Sequence, residues 1–473
     1  MLNFPDQSRF GRSLGCDAAY GVPGCACAVT RLAVRALNRR SVTRRGNVDP
    51  GYALELQAPE AVPRHTRFIE RLVLRNYKSI AACDVALARL TYLVGPNGSG
   101  KSNFLDALRF VTDALRISLD HALRDRGGIK EVRRRSTGHP KHFGIRITFR
   151  LPDGSRGHYA FVVGSKAKES RALQGGYFVQ HEECTVRHGI TGRVIGHYSV
   201  MDGRVADSSV PTPPAAARDR LYLVNVSGLP EFRPVYDALS SMGFYNLNPD
   251  VIRELQSPDP GLLLARDGSN VASVLETLAN RSPDVRARIE EYLSKIVPGV
   301  SGVDPIMVGP KETLEFRQEV SGSKDPWRFI AANMSDGTLR ALGILIALFQ
   351  NGGSDGPGVP FVGIEEPETA LHPAAAGVLT DSLADASEHT QVAVTSHSPE
   401  LLANEEIPDD AILAVVSRRG ETKIGPLDAA ARGALRGHLF TAGDLLRMDQ
   451  LQPDPKATDI NPDQLALFGD GED

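Results

Sequence analysis

The chain has little of what holds secreted or membrane proteins together. It contains five cysteines (Cys16, Cys25, Cys27, Cys83, Cys184), and no two of them form the C-x-x-C spacing typical of zinc or redox motifs. A zinc site at Cys16, Cys25 and Cys27 stays open as an alternative, but reduced, unligated thiols are favoured because no histidine stands at ligand spacing. Since no signal peptide is apparent, we expect an intracellular, reducing compartment, the cytoplasm.

Long apolar runs and a dominant charge are also missing. The run Ala341–Phe349 is far shorter than a membrane span, so the sequence predicts no transmembrane segment and no membrane partner. The net charge of −3 gives no overall attraction to nucleic acid, so any such contact needs a local patch. With 473 residues, 41% of them hydrophobic, the chain is long enough for two or three domains or one large unit.

The two ends of the chain differ from the part between them. Residues 1–65 combine little periodicity with few acids and many arginines (Arg9, Arg12, Arg31, Arg35, Arg39, Arg40, Arg44, Arg45). This composition favours a disordered extension over a basic arm that touches nucleic acid. Residues 457–473 are polar and acid-leaning, which predicts a flexible tail. The remaining residues divide by pattern into segments 66–230, 231–300 and 301–456.

The most informative stretch is GPNGSGKS, Gly95–Ser102, which follows an apolar run and opens a helical pattern. Its glycines permit backbone conformations in which successive N–H groups surround phosphate oxygens, and the following helix N-terminus favours the same anion. Lys101 is expected to reach the β- and γ-phosphates, and Ser102 to bind Mg²⁺. The residues expected to bind ATP here are Gly95, Pro96, Asn97, Gly98, Ser99, Gly100, Lys101, Ser102 and Asn103.

Two adjacent acids follow a second apolar run, in FVGIEEPETALHP (Phe361–Pro373). Glu365, at the predicted strand end, is placed to orient Mg²⁺ and its waters. Glu366, one residue further, points the other way and is placed to polarise the attacking water. Adjacent acids are common at ordinary strand ends, but the upstream phosphate loop favours the catalytic interpretation.

Two further elements complete the pattern. Ser335 and Gly337 form a polar turn before the apolar helix LRALGILIALF, which creates a second anion-binding helix N-terminus. We expect this turn to serve the nucleotide of a second subunit, with a plain helix cap as the alternative. His397 follows the apolar run Gln391–Val394, where its ring can hydrogen-bond a γ-phosphate.

The pattern between these motifs changes twice. Phe68–Ile80 alternates as one strand, and residues from Phe143 to Val226 alternate with period two, which predicts an antiparallel sheet that ends with LYLVNV. Residues from Phe232 to Val297 have helical periodicity, with helices expected near Val271 and Val285. The basic run around Arg133–Arg135 is the candidate nucleic-acid contact, and a solvated loop is an equal alternative.

These elements, in this order, resemble the head of ATP-binding-cassette (ABC) ATPases, a group that includes RecF-like, structural-maintenance-of-chromosomes (SMC) and OLD proteins. The sequence is similar to bacterial stand-alone ATPases of the AAA-21 type. RNYKSI resembles their opening strand, GPNGSGKSN their Walker A, NMSDGTLR their signature, IEEPETALHP their Walker B with D-loop, and TSHSPELL their switch histidine. The resemblance implies an α/β P-loop NTPase fold of ABC-ATPase type, with an inserted antiparallel β region and a small helical lobe.

The resemblance also implies roles for single residues. Lys101 and Ser102 would bind phosphate and Mg²⁺, Glu365 would support Mg²⁺, and Glu366 would activate water. Ser335 and Gly337 would contact a γ-phosphate from the other subunit, and His397 would sense it. Glu365 stands where many such ATPases carry aspartate, a substitution that this subgroup tolerates but that puts the rate of turnover in doubt. Asp336 and Thr338 depart from the common LSGGQ signature but fit the subgroup.

The resulting hypothesis is a slow ATPase that forms a homodimer around two ATP molecules and acts as an ATP-gated clamp or regulator in DNA repair or anti-phage defence. DNA is a candidate ligand. A separately encoded effector, such as a nuclease, is expected because the TOPRIM nuclease domain of OLD relatives has no counterpart after His397. One alternative is a non-catalytic, ATP-bound scaffold for a nuclease or toxin. Another is the nucleotide-binding subunit of a transporter, against which RNYKSI and IEEPETALHP argue.

Overall fold

A mixed sheet of thirteen strands forms the frame of the protein in the computed structural model, which describes residues 67–136, 138, 140–165, 176–351 and 358–469. The strands of this part of the chain are β1 (Ile69–Tyr77), β2 (Ile80–Ala86), β3 (Leu90–Val94), β4 (His142–Arg150), β5 (Arg156–Ser165), β6 (Tyr177–Arg187), β7 (Val194–Met201), β8 (Arg204–Ser208), β9 (Gly243–Tyr245), β10 (Val300–Val308), β11 (Lys311–Gln318), β12 (Trp327–Ile330), β13 (Phe361–Glu365), β14 (Gln391–Ser396), β15 (Ile412–Arg418) and β16 (Glu421–Pro426). The helices are α1 (Lys101–Arg116), α2 (Leu119–Arg124), α3 (Ile129–Val132), α4 (Leu223–Val226), α5 (Arg233–Ser240), α6 (Pro249–Arg253), α7 (Val271–Arg281), α8 (Pro283–Ile296), α9 (Asp336–Phe349), α10 (Ala376–Ala386), α11 (Ala429–Arg436), α12 (Ala442–Arg447) and α13 (Pro455–Thr458).

The sheet has an antiparallel part and a parallel part, in the order β8-β7-β6-β5-β4-β1-β2-β16-β15-β3-β14-β13-β9. The pairs from β8 to β2 are antiparallel, as the alternating pattern predicts. From β15 to β9 every neighbouring pair is parallel. The carboxyl ends of β15, β3, β14, β13 and β9 therefore meet at one edge, the usual location of ligand sites in such sheets.

Helix α1 packs against both parts of the sheet, with contacts to β1 and to β9. Its Phe110 packs edge-on against Tyr77 and Phe143, with ring centroids 6.1 and 5.4 Å apart, a favourable arrangement for aromatic rings. Helix α5 belongs to the same core, where Thr112 donates a hydrogen bond to the carbonyl of Leu239 at 3.0 Å. The predicted helical segment 231–300 is therefore divided, because α7 and α8 pack elsewhere.

Helix α9 forms the centre of the second core. The run Ala341–Phe349 is buried along its whole length, against α6, α7, α8 and α10 and the parallel strands. Helices α7 and α8 begin as predicted, at Val271 and at Pro283 behind the N-cap Ser282. Among the described residues, no helix has the length and apolar character needed to cross a membrane. The apolar run is thus a core helix.

A second, three-stranded antiparallel sheet, β10-β11-β12, lies beside α7 and α8. Phe316 of β11 is opposite Phe329 of β12, and Val303, Leu314 and Phe316 are buried. Strand β12 ends just before the turn at Ser335. This small sheet therefore connects the helical region to the start of α9.

The run LYLVNV is helical, not a strand as its alternation predicts. Helix α4 covers Leu223–Val226. The buried carboxylate of Glu182 accepts hydrogen bonds from the backbone N–H groups of Tyr222 (2.5 Å) and Leu223 (2.8 Å). Because a carboxylate satisfies N–H groups that a helix N-terminus leaves unpaired, this contact favours a helical turn here.

Two other expectations need correction. The predicted strand Phe68–Ile80 is split into β1 and β2 by a turn in which Asn76 (φ 55°) and Lys78 (φ 45°) are left-handed. The expected flexible tail is packed as far as it is described, to residue 469. Leu465 and Leu467 are buried in a small core with Val73, Ala82 and Val162. Of the cysteines, Cys83 and Cys184 are buried free thiols, whereas Cys16, Cys25 and Cys27, with residues 1–65, lie outside the described residues.

Candidate functional site

The glycine-rich loop lies between β3, which ends at Val94, and α1, which begins at Lys101. Gly100 has a φ of 107°, which side chains rarely adopt. A Cβ atom on Gly100 would lie 2.1 Å from Thr422 Oγ1, and one on Gly95 would lie 1.9 Å from the carbonyl oxygen of Val415. The loop therefore requires glycine at both positions, for its conformation and for its close contact with β15 and β16.

Lys101 lies inside this loop. Its Nζ donates hydrogen bonds to the carbonyl oxygens of Gly95 (2.7 Å) and Pro96 (3.1 Å), and the side chain is buried. Burial lowers the pKa of Lys101, and the nearby carboxylates of Glu366 and Glu368 partly oppose this shift. The ammonium group thus lies within the loop, whose backbone N–H groups are available to an anion.

The other loop residues divide into exposed and buried groups. Pro96, Asn97, Gly98 and Ser102 are exposed, so the Ser102 hydroxyl at the start of α1 is accessible. Ser99 is buried, and its hydroxyl has no hydrogen-bond partner in the described part of the chain. A glycine cradle with an unpaired hydroxyl and a buried ammonium fits the phosphates of a nucleotide.

A hydrogen-bond chain supports the loop from behind. Asn103 Nδ2 donates to Ser79 Oγ at 2.7 Å, and Ser79 Oγ lies 2.7 Å from Thr422 Oγ1. Thr422 Oγ1 donates to the carbonyl of Ser99 at 2.8 Å. Sequence reasoning missed Thr422, which lies on β16, 323 positions from Ser99, and no local pattern marks it.

The paired acids lie at the same edge of the sheet. Glu365 ends β13 and is opposite Thr395 of β14, which is opposite Leu93 of β3. Glu366 follows with a left-handed φ of 46°, and its N–H donates to the carbonyl (3.0 Å) and the hydroxyl (3.1 Å) of Thr395. This backbone anchor fixes the position of Glu366, and the two carboxylates have different neighbours, Arg266 for Glu365 and His397 for Glu366.

Glu365 is the acid expected to support Mg²⁺. Its Oε1 lies 3.5 Å from Nη2 of Arg266, so a cation already stands beside this carboxylate. No cluster of three or more histidine, cysteine or acidic side chains is found among the described residues. One carboxylate with the Ser102 hydroxyl nevertheless fits Mg²⁺, which keeps several waters and takes further oxygens from nucleotide phosphates.

His397 lies beside Glu366. Its Nδ1 is 3.4 Å from Glu366 Oε1, and its backbone N–H donates to Glu368 Oε1 at 3.3 Å. The same Glu368 oxygen accepts from Ser396 Oγ at 2.7 Å, while the other oxygen of Glu368 is buried and has no partner among the described groups. Glu368, which sequence reasoning missed, therefore holds the histidine against the second acid.

The end of β9 adds a polar residue to this edge. Tyr245 is opposite Ile364, so the exposed Asn246 follows at the level of Glu365. The resemblance to ABC ATPases also implies a glutamine-containing loop, for which the sequence offers only the weak candidates Gln174 and Gln180. Gln180 lies on β6 in the antiparallel part, and Gln174 lies outside the described residues.

The turn at Ser335 is part of the helix N-terminus, as expected. Ser335 Oγ accepts a hydrogen bond from the N–H of Thr338 at 3.2 Å, and Ser335 is exposed. Asp336 forms an ion pair with Arg253. The cap therefore presents its polar atoms at the surface.

The three arginines predicted as a nucleic-acid contact, Arg133–Arg135, form hydrogen bonds or ion pairs within the chain. Arg134 forms an ion pair with Glu421 at 2.5 Å, and Arg135 pairs with Glu131. Arg133 donates to the carbonyl of Pro140 (2.9 Å). Because these guanidinium groups are engaged within the chain, they are less available to a phosphate backbone.

A glycine-rich loop between a parallel strand and a helix, with acids at the end of a nearby parallel strand, defines a P-loop ATPase fold. The family model AAA_21, described as "AAA domain, putative AbiEii toxin, Type IV TA system", matches residues 90–403. This match covers well over half of the chain, and the chain belongs to this family.

Other similarities are narrower. A stretch of 41 residues is 44% identical to the DNA replication and repair protein RecF of Vibrio vulnificus (strain YJ016), and it covers 8% of this chain and 11% of RecF. An SMC head bound to the C-winged helix domain of ScpA is 17% identical, with a TM-score of 0.46 and coverage of 77% of this chain and 98% of that chain. An SMC head with an extended coiled coil derived from Pyrococcus furiosus is 16% identical, with a TM-score of 0.46 and coverage of 79% and 99%.

Proposed function

We propose that the protein binds and hydrolyses ATP and forms a homodimer with ATP between the two subunits. The observation that carries this proposal is the meeting of Lys101, Glu366 and His397 at one edge of the sheet. Burial lowers the pKa of Lys101, and the nearby carboxylate of Glu366 partly opposes this shift. His397 lies 3.4 Å from the same carboxylate. This arrangement supports a site in which Lys101 binds phosphate, Glu366 acts as the base and the ring of His397 donates a hydrogen bond.

Each residue has a role in this proposal. The loop Gly95–Ser102 holds the phosphates, with Lys101 exchanging the carbonyls of Gly95 and Pro96 for phosphate oxygens. Ser102 and Glu365 hold Mg²⁺, which supplies charge neutralisation at the phosphates. Glu366 orients and polarises the attacking water, and His397 contacts the γ-phosphate while its ring rests against Glu366.

The second half of the site comes from the partner. Ser335 is exposed and Gly337 is half-buried at the start of α9, where a helix N-terminus favours an anion. In the dimer, this turn contacts the γ-phosphate held by the loop of the other subunit. ATP provides this contact and ADP does not, so the dimer closes on ATP and loosens after hydrolysis.

The biological role we propose is an ATP-gated clamp or regulator of a separate effector in DNA repair or anti-phage defence. The family description, which names a toxin and a type IV toxin–antitoxin system, supports the effector, and the short match to RecF supports a link to DNA. A non-catalytic ATP-bound scaffold uses the same binding residues and differs only in its need for hydrolysis.

The experiment that tests this function is ATP hydrolysis by the purified protein, with and without double-stranded DNA. The wild type is compared with Lys101→Ala and Glu366→Gln. Hydrolysis that both variants abolish supports the ATPase, and stimulation by DNA supports the DNA clamp. ATP binding without hydrolysis above the Glu366→Gln background contradicts the catalytic proposal in favour of the scaffold.

A further inference from the structure

Arg340, on the first turns of α9, lies between this helix and the two acids. Its side chain is buried, with 8% of the residue exposed. Nη1 donates to the carbonyl of Leu247 at 2.6 Å, and Nη2 donates to the carbonyls of Glu365 and Glu366 at 3.1 Å each. One guanidinium group therefore connects α9 to two neighbouring parallel strands: to Leu247, just after β9, and to Glu365 and Glu366, at the end of β13.

The segment 366–370, which begins with Glu366, is held by α9 at both ends. Glu366 and Ala370 are non-glycine residues with left-handed φ angles of 46° and 67°, a conformation that persists only where surrounding contacts enforce it. Arg340 bonds the carbonyl of Glu366. A Cβ atom on Gly337 would lie 2.6 Å from the carbonyl oxygen of Ala370, so the start of α9 is in close contact with the other end.

These contacts and the Ser335 turn belong to one helix. Ser335 caps α9, and Arg340 follows little more than one helical turn later. Every residue of α9 from Thr338 to Phe349 is buried, and a helix held in a close-packed interior is expected to move as one unit. We therefore expect a displacement of the Ser335 turn to reach the backbone of Glu366 through Arg340.

We propose that Arg340 is a positioning residue that couples the Ser335 turn to Glu366. The proposal rests on the ATP-sandwiched dimer proposed above. In that dimer, the Ser335 turn contacts the nucleotide of the other subunit, while Glu366 acts on the nucleotide of its own subunit. Arg340 then links the two nucleotide sites, so that each subunit hydrolyses its ATP only when its α9 is engaged by the partner's nucleotide.

The test uses Arg340→Lys in the full-length chain. A lysine keeps the charge but carries one nitrogen, so it cannot bridge Leu247 and both acid carbonyls as the planar guanidinium does. We expect kcat to fall about 100-fold, the effect of a small misplacement of a catalytic group, with the Kd for ATP and the KM unchanged. ATP-dependent dimerisation in a Glu366→Gln background should also be retained.

Arg146→Lys is the matched control. Arg146 is also a buried arginine that donates to two backbone carbonyls, those of Leu467 and Gly469, but it lies on β4. If Arg340 is only structural, both variants will lower the melting temperature and leave kcat unchanged. Arg340→Gln provides a second, uncharged variant with the same expected fall in kcat.

The outcomes separate the two proposals. A wild type that neither hydrolyses ATP nor dimerises with it contradicts the proposed function and, with it, the coupling. The wild type can instead hydrolyse ATP and dimerise with it, while Arg340→Lys keeps its kcat or loses activity only because it binds ATP more weakly. That result overturns the coupling and leaves the proposed function standing. A fall in kcat at unchanged Kd, absent from Arg146→Lys, supports it.

Discussion

The two helix N-termini of the candidate site are built differently. At the start of α1, Lys101 and Ser99 are buried, and Thr422 supports the loop from a distant strand. At the start of α9, Ser335 is exposed and its hydroxyl caps its own helix. The first terminus is organised within one chain, whereas the second is presented outward, and this difference suggests that they serve two different nucleotides.

Of the changes to the two helix N-termini, removal of the Lys101 ammonium group should have the largest effect on ATP binding. Lys101→Ala deletes the cation inside the loop, and we expect loss of measurable ATP binding and hydrolysis, because the phosphates lose their main charge partner. Fluorescent-nucleotide titration measures the binding. Lys130→Ala, at an exposed position on α3, is the control and should bind ATP as the wild type does. Retention of wild-type affinity by Lys101→Ala would place the nucleotide elsewhere.

Glu366→Gln should separate binding from hydrolysis. We expect kcat to fall about 10²- to 10⁴-fold, the range for loss of a general base, with ATP affinity retained. Phosphate release under saturating ATP measures kcat. The control is Glu388→Gln, at an exposed acid that follows α10. Unchanged hydrolysis in Glu366→Gln would exclude this residue as the base.

Ser335→Arg should affect only the exposed turn at the start of α9 and not the nucleotide-binding loop before α1. A long charged side chain at this turn should prevent ATP-dependent dimerisation and leave ATP binding by the single chain intact, as measured by light scattering and titration. Loss of the helix cap itself costs about 1 kcal/mol of stability, and Thr441→Ala, in the capping box of α12, controls for that loss.

Mixing inactive variants sharpens the comparison further. In the proposed dimer, taken as two-fold symmetric, Lys101→Ala paired with Ser335→Arg combines one intact loop with one intact turn. We expect ATP-dependent mixed dimers in this mixture and none in either variant alone. Mixed dimers that fail to form, although both variants are folded, would indicate that the turn serves the nucleotide of its own chain.

Thr422→Val should have a smaller effect, on the ATP affinity of the loop before α1. It removes the hydrogen bond to the Ser99 carbonyl, a contact worth about 0.5–1.5 kcal/mol. We expect a several-fold weaker ATP affinity with the fold preserved. Thr422→Ser restores the hydroxyl and should restore the affinity. If the valine variant binds ATP as tightly as the serine variant does, the network behind the loop has no part in binding.

The smallest effect is on stability and concerns Glu182, which lies on β6 and not at either helix N-terminus. Burial raises the pKa of Glu182 to about 7, above its value in the unfolded chain. The folded state then binds a proton more readily, so this group's contribution to stability is present at low pH and is lost as the pH rises to about 7.

The test is to measure the free energy of unfolding from pH 5 to pH 8 for the wild type and Glu182→Gln. The amide does not titrate, and its NH₂ group opposes the N–H of Tyr222, so the variant should be less stable at pH 5. The difference between the two proteins should shrink by on the order of 1 kcal/mol per pH unit up to pH 7. A constant difference would contradict the raised pKa, because it would show that folded Glu182 does not lose its proton near pH 7.

The sequence predicts the parts of this site that depend on neighbouring residues. The loop Gly95–Ser102, the strand that ends at Glu365 and the cap at Ser335 are local patterns, and the structure has them where they were expected. Thr422 contacts residues distant in sequence, so no periodicity or spacing reveals it. Arg340 ends the stretch NMSDGTLR, but its hydrogen bonds to Leu247, Glu365 and Glu366 cross between distant segments and cannot be read from that stretch. LYLVNV alternates like a strand, but the distant Glu182 accepts hydrogen bonds from Tyr222 and Leu223 and so favours the helical turn that begins at Leu223.

The central claim is that ATP joins two chains of 51.0 kDa. The most direct test is the molar mass of Glu366→Gln by light scattering, with and without Mg²⁺ and ATP, beside the double variant Lys101→Ala, Glu366→Gln. We predict that ATP doubles the mass of Glu366→Gln and does not change that of the double variant. A Glu366→Gln protein that is saturated with ATP and still has the mass of one chain would contradict the account.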